Sequence, residues 1–395
     1  MTLNNKWFIG IMKSRGKKSV IYFFKNSIGG ADAFAPVATE IKFKHKDVIL
    51  DLVFITEQSR HEVLASDLNE RVFNMTGNVV DLSVIKGPFK KFGKLYKIIK
   101  LLVYRKFQCK KITILFPPAV RDLSGRLLLY ILKIFGTVGS FPGVSIPLSS
   151  DIVKRNSGRS FRDFHICYTT DEVNYFKNMF TTDTKVFPIG LPKLFDGWQN
   201  TLDRLSPVII ENEFKKFGWD FKSSIATIVL TYPYFSWFKS EKRYFVLLME
   251  GIVLIKKYFP GIKIILKPKV CFLYYFEEFE KDLDDPDIRL STIALPVCAH
   301  YSKVALTINE SAGIFDFIVA GVPVIEYAEY KEEWVKATGF SSAWINTPGF
   351  AYVEDFKDLE LEISKASNKT FNTVTHNELD RWVGTSKDLS ILCNK

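Results

Sequence analysis

Between the apolar run that ends near Ile308 and a helical pattern that begins near Ile314 stand three small residues, Ser311, Ala312 and Gly313. Small residues let backbone N–H groups come close to an anion, and a helix start presents unpaired donors with about half a positive charge. A phosphate can be held there without a cationic side chain, the Ser311 hydroxyl donating one bond more. The same triplet also fits an ordinary helix cap with Ser311 at the N-cap. A second group, Lys267-Pro268-Lys269, closes another apolar run, Ile262 to Lys267. At neutral pH a lysine supplies fixed charge and hydrogen bonds to a leaving phosphate, and it moves protons only where burial lowers its pKa. Lys267 is read as charge stabilisation, with a solvated strand end as the equal alternative. The histidines His45, His61, His165, His300 and His376 are too scattered for a metal cluster, and Asp282 to Asp287 reads as a surface turn, so no metal is expected.

Such groups need a scaffold that brings strand ends together. Runs rich in Val, Ile and Phe at Ser19 to Phe24, Val48 to Ile55, Lys111 to Phe116 and Phe164 to Tyr168 alternate with helical stretches, the signature of βαβ units on a parallel sheet. After a break at Phe187 to Asn200, the alternation restarts at Ala226 to Thr231, Ile262 to Lys267, Lys303 to Ile308 and Val322 to Tyr327. Between them, Glu241 to Tyr258 carries Phe245, Leu248, Met249, Ile252 and Ile255 at helical spacing and stops at Phe259-Pro260-Gly261. The expectation is an α/β chain of two units, residues 1–195 and 196–375, with 376–395 as a tail or a helix crossing back.

With 395 residues, 47% of them hydrophobic, the chain supports two cores better than one. No run of 18 uncharged apolar residues occurs, and Met1 to Lys18 lacks the apolar core of a secretory signal, so a cytosolic location is expected. Five cysteines without a Cys-x-x-Cys pair argue against a disulfide framework. The net charge of +11 favours an anionic partner. From Leu82 to Arg121 there is no acidic residue, while lysines from Lys86 to Lys111 alternate with Phe89, Phe92, Leu95, Ile98, Ile99, Leu102 and Tyr104. Such a helix suits the anionic inner face of a membrane. It also suits an ordinary helix with Leu95, Ile98, Ile99 and Leu102 turned to the core. Nucleic acid is not expected, for want of a reader module or of clustered charge with stacking aromatics.

Ser311-x-x-x-Phe315-Asp316-Phe317, followed by Gly321-x-Pro323-Val324-Ile325-x-Tyr327, resembles the donor-site signature of the CDP-glycerol glycerophosphotransferase and teichoic acid polymerase family. Read with Ile288 to Leu295, the segment also resembles the lipid-linked N-acetylglucosaminyltransferase of peptidoglycan synthesis and the non-hydrolysing UDP-N-acetylglucosamine 2-epimerases. All share the GT-B plan, two Rossmann-like domains facing across a cleft. The resemblance implies a nucleotide-activated donor on the C-terminal domain, its phosphate on Glu310, Ser311, Ala312 and Gly313 and its base against the backbone of Ile293 and Ala294. The turn Phe187 to Lys193 resembles the Gly-x-Pro element that closes the first domain, which puts Gly190 and Lys193 beside the donor. Gly29 and Gly30 would form the acceptor loop before a helix, and Asp32 is the carboxylate placed to take the acceptor proton, unless it caps that helix. The relatives carry His-Pro where this chain has Lys267-Pro268, which favours glycosyl over glycerophosphate transfer. The expected function is a glycosyltransferase using a CMP-, CDP- or UDP-linked sugar, with no cofactor beyond that substrate, acting on a cell-surface glycan or lipid-linked acceptor. The alternatives are a glycerophosphotransferase or a sugar-nucleotide 2-epimerase.

Overall fold

Lys17–Phe24 is apolar from Val20 onward and lies buried from Ser19, so it forms the central strand β1 of a sheet covered on both faces. The computed structural model of the chain describes residues 17–24, 28–116, 123–141, 162–179, 184–232, 239–309, 311–338, 341–342, 344–384 and 387–393. From β1 the chain runs through α1 (Ile28–Lys44), β2 (Val48–Phe54), α2 (Glu57–Leu64), α3 (Asp67–Thr76), β3 (Asn78–Asp81), α4 (Lys90–Gln108), β4 (Cys109–Leu115), α5 (Leu123–Phe135), β5 (Thr137–Ser140), β6 (Phe164–Cys167), α6 (Thr170–Met179) and β7 (Lys185–Pro188). The seven strands are parallel in the order β3-β2-β1-β4-β5-β6-β7.

Pro192–Leu194 then makes one 3-10 turn and α7 (Asp196–Phe217) follows. The second sheet is built from β8 (Ile225–Leu230), α8 (Glu241–Tyr258), β9 (Lys263–Pro268), α9 (Tyr274–Leu283), β10 (Ile288–Leu290), α10 (Leu295–Tyr301), β11 (Ser302–Ile308), α11 (Ile314–Val319), β12 (Val324–Tyr327), α12 (Glu332–Thr338), β13 (Phe350–Val353) and α13 (Phe356–Ser367). Its parallel order is β10-β9-β8-β11-β12-β13. Both sheets reverse direction beside their first strand, between β1 and β4 and between β8 and β11. Open α/β sheets bind ligands outside the carboxyl ends of the strands at such points.

Helices α14 (His376–Val383) and α15 (Ser390–Cys393) end the described chain. The last of them returns to the first sheet: Thr113 of β4 donates to the Leu392 carbonyl at 3.2 Å. One apolar cluster runs through both sheets, from Val20, Phe34 and Phe54 through Trp198 and Leu202 to Ile265, Ile314 and Val324. Polar contacts also join the units: the Gly197 amide donates to Glu40 at 2.7 Å, and Lys44 holds Glu40 at 2.5 Å.

The strand count exceeds the sequence expectation. β3, β5, β7, β10 and β13 span three or four residues each, and every one has residues that are not buried, unlike the equally short β6 and β12, so no apolar run marks them. On α4 the inward residues are Ile98, Leu102 and Arg105. Arg105 reaches under the helix to the fully buried Asp51 of β2, its Nε on Oδ2 and Nη2 on Oδ1, both at 2.6 Å. Gln108 and Asn78 complete that set, at 2.5 Å from Arg105 and 3.1 Å from Asp51. A charge pair removed from water survives only with its remaining donors and acceptors satisfied, and here they are.

Candidate functional site

Helix α1 begins at Ile28, so Gly29 and Gly30 lie in its first turn and not in a loop before it. First-turn N–H groups have no intrahelical acceptor, so glycine costs least there and the turn leaves its donors free. Asp32 is the fifth residue of the helix, too far in to cap it. Its Oδ1 accepts from Asn69 Nδ2 at 2.9 Å. Asn69 is buried in the first turn of α3 and held there by its own amide, which donates to Ser66 Oγ at 3.4 Å. Burial raises the Asp32 carboxyl above the ordinary carboxylate range. The Asn69 bond and then Lys193, Lys267 and Lys269 oppose that rise without cancelling it. A carboxylate so placed accepts a proton more readily than a solvated one.

Lys267, at the carboxyl end of β9, lies near enough for its charge to act on this carboxylate. It is buried, and its Nζ donates to the Pro268 carbonyl at 2.9 Å. Burial drives its ammonium pKa down, against the pull of Cys298, Asp32 and Glu213. The solvated strand end describes the exposed Lys269 but not Lys267. Lys267 thus meets the condition, burial that lowers its pKa, under which a lysine can also exchange protons.

The small-residue turn lies where β11 ends. Asn309 adopts φ of 69°, Ser311 Oγ accepts from the Gly313 amide at 3.2 Å, and Gly313 itself is the N-cap of α11. Ser311 therefore shapes the turn two residues ahead of the N-cap, and its hydroxyl hydrogen is not used in that bond. Glu310 lies outside the described residues. A Cβ on Gly313 would stand 2.3 Å from Leu295 Cδ1. The glycine thus lets the 293–295 turn pack directly on the 311–313 turn, which brings together the two segments expected at the base and at the phosphate. Part of the backbone expected to read the base is already committed. The Ile293 amide donates to Ser291 Oγ at 3.0 Å, and the Ala294 carbonyl accepts from Val297 and Cys298 at 3.0 and 3.1 Å.

Gly190 has φ of 81°, a left-handed backbone suited to glycine, and turns the chain from β7 towards Lys193. Lys193 crosses to α11 and pairs with the buried Asp316 at 2.5 Å. Burial raises Asp316 and so does Asp32, while Lys193 opposes both. Lys193 thus sits between two carboxylates of opposite sheets. Beside this pair a cavity of about 270 Å³ is lined by Trp198, Gln199, His300 and His376 among others, smaller than a nucleotide sugar requires.

The structure therefore brings Asp32, Lys193, Lys267 and the Ser311–Gly313 turn to facing strand ends. It adds Asn69 and Asp316. Asn69 has no sequence signal, since the residue it holds is 37 positions away. Asp316 has one: it is the lone acid in an otherwise apolar helix, and a buried acid needs a partner. Among the described residues no group of three or more His, Cys, Asp or Glu side chains is arranged to hold a metal ion.

No protein-family model matches the sequence, and no curated protein matches it. Solved structures do match in shape. The UDP-GlcNAc 2-epimerase from Methanocaldococcus jannaschii superposes with a TM-score of 0.57 at 15% identity, over 91% of this chain and 94% of its own. The Neisseria meningitidis UDP-GlcNAc 2-epimerase bound to UDP-GlcNAc gives 0.57 at 15% identity, over 90% and 94%. The Escherichia coli ADP-heptose lipopolysaccharide heptosyltransferase II gives 0.51 at 10% identity, over 89% and 98%. The chain has the GT-B fold: two Rossmann-like domains, each a parallel α/β sheet, facing across a cleft.

Proposed function

We propose that the chain is a glycosyltransferase that moves a sugar from a nucleotide-activated donor to a glycan or lipid-linked acceptor. One observation carries the reading: the half-buried Asp32 on α1 of the first unit and the buried Lys267 at the end of β9 in the second lie near enough for each charge to act on the other. In the reaction the acceptor hydroxyl attacks the anomeric carbon while Asp32 takes its proton. The bond from that carbon to the donor phosphate oxygen breaks, and the nucleotide leaves with its electron pair. Lys267 and Lys269 offset the charge that develops on the leaving phosphate, and the Ser311 hydroxyl with the Ser311 and Ala312 amides holds it.

The test is nucleotide release from CMP-, CDP- and UDP-linked sugars, with and without glycan or lipid-linked acceptors. Release that depends on an acceptor and is lost in Asp32→Asn supports the reading. The similarity in shape to UDP-GlcNAc 2-epimerases, with the same carboxyl and lysine pair able to move protons, supports a second reading, epimerisation of the sugar nucleotide itself. Formation of a new epimer from UDP-GlcNAc alone, with no acceptor, would replace the first reading by the second.

A further inference from the structure

The basic helix α4 has two apolar faces. Ile98 and Leu102 turn inward and complete the core, together with Leu129 and Leu132 of α5. The outward stripe is separate: Phe92, Tyr96, Val103 and Phe107 recur at helical spacing and are exposed by 72%, 66%, 38% and 67%. The neighbouring α5 repeats the arrangement, with Leu127, Tyr130 and Ile134 exposed at spacings of three and four. Both helices cover the same side of the first sheet, and neither contains an acidic residue. Lys90, Lys91, Lys97, Lys100 and Lys106 are exposed and make no ion pair among the described residues. Lys94 and Lys133 are used otherwise, on the Ile55 carbonyl at 2.6 Å and on Asp163 at 2.9 Å.

We propose that the outer faces of α4 and α5 form a docking platform for an anionic lipid bilayer, with the aromatic and aliphatic side chains entering the headgroup boundary and the unpaired lysines meeting lipid phosphates. Large apolar side chains set among unpaired cations match a surface that is apolar beneath and negative above. A second copy of the chain fits poorly, because a symmetric contact would press these lysines against themselves. Nucleic acid fits less well: it could stack on Phe92, Tyr96, Phe107 and Tyr130, but the aliphatic Val103, Leu127 and Ile134 set among them would stay in water. No helix among the described residues is long and apolar enough to cross a membrane, so contact by this platform would be peripheral. The inference does not rest on the reading of the cleft.

Co-sedimentation of the full chain with phosphatidylglycerol–phosphatidylcholine vesicles and with pure phosphatidylcholine vesicles tests it. Binding is expected on the anionic vesicles, weakening in 0.5 M salt, as any contact through lysines must. Phe92→Ser with Phe107→Ser is expected to lower affinity at least tenfold. Lys97→Glu, Lys100→Glu and Lys106→Glu together are expected to lower it about a hundredfold, at roughly fivefold per lysine. A Tyr96→Trp reporter should shift its fluorescence to the blue on binding, which reads insertion without disabling the surface. Absent binding, equal binding to neutral vesicles, binding indifferent to both sets of changes, or a dimer broken by Phe92→Ser in a chain that ignores vesicles would each overturn the proposal.

Discussion

Burial shifts the Asp32 pKa up and the Lys267 pKa down, each towards the neutral form, and the charge of each opposes the shift of the other. Because the folded pKa of Asp32 lies above its unfolded value, the native state binds the extra proton between the two. Stability contributed by this residue is therefore present at low pH and lost as pH rises towards the folded pKa. Asp32→Asn should accordingly match or exceed the native Tm at pH 7 in calorimetry, while turnover falls by at least about a hundredfold. Asn69→Ala removes the bond that lowers the Asp32 pKa, so the acid limb of the kcat/KM profile should move to higher pH; a lowered plateau with an unmoved limb would assign Asn69 to packing alone. Ser311→Ala should weaken donor binding, read by titration calorimetry, with no more than the small fall in Tm that loss of the Gly313 amide's bond brings. The residue types in the cleft were legible because strand ends in an α/β pattern are where ligands bind. Their protonation was not, since it depends on burial that sequence spacing does not record.

At the scale of elements, the long strands and the fully buried four-residue β6 and β12 were readable, and the short, partly exposed strands were not. β1, β2, β4, β8, β9 and β11 each carry six or more residues of mostly apolar sequence, whereas β10 has only Ile288, Arg289 and Leu290 to show. The boundary at Ile28 was missed for a related reason: Gly29 and Gly30 read as a loop, yet the first turn of a helix tolerates them. Two changes test how elements are locked together. Gly313→Ala drives a methyl group against the Leu295 side chain and should cost about 1–2 kcal/mol in urea unfolding, recovered in part by Leu295→Ala. Arg105→Met strands the buried Asp51 carboxylate and should cost about 3–5 kcal/mol, far more than any exposed lysine of the same helix.

Across the whole molecule, the two sheets share one apolar cluster, and α7 packs on α1 of the first unit and α10 of the second. A sequence divided at the Gly190 turn suggests two separable cores, but the side chains that join them, Trp198 above all, lie on the connecting helix itself. Scanning calorimetry should therefore show one unfolding transition for the full chain. Trp198→Ala should lower that transition as a whole, by about 3–5 kcal/mol, without splitting it. The buried Arg105–Asp51 contact has a consequence for how the molecule would meet a bilayer. Many amphipathic segments are coils in water and become helical only on the lipid, so each adsorption must supply the entropy of ordering. Here α4 is already wound and its rotation pinned from beneath, so adsorption would order almost nothing, and far-UV circular dichroism should be the same with vesicles as without.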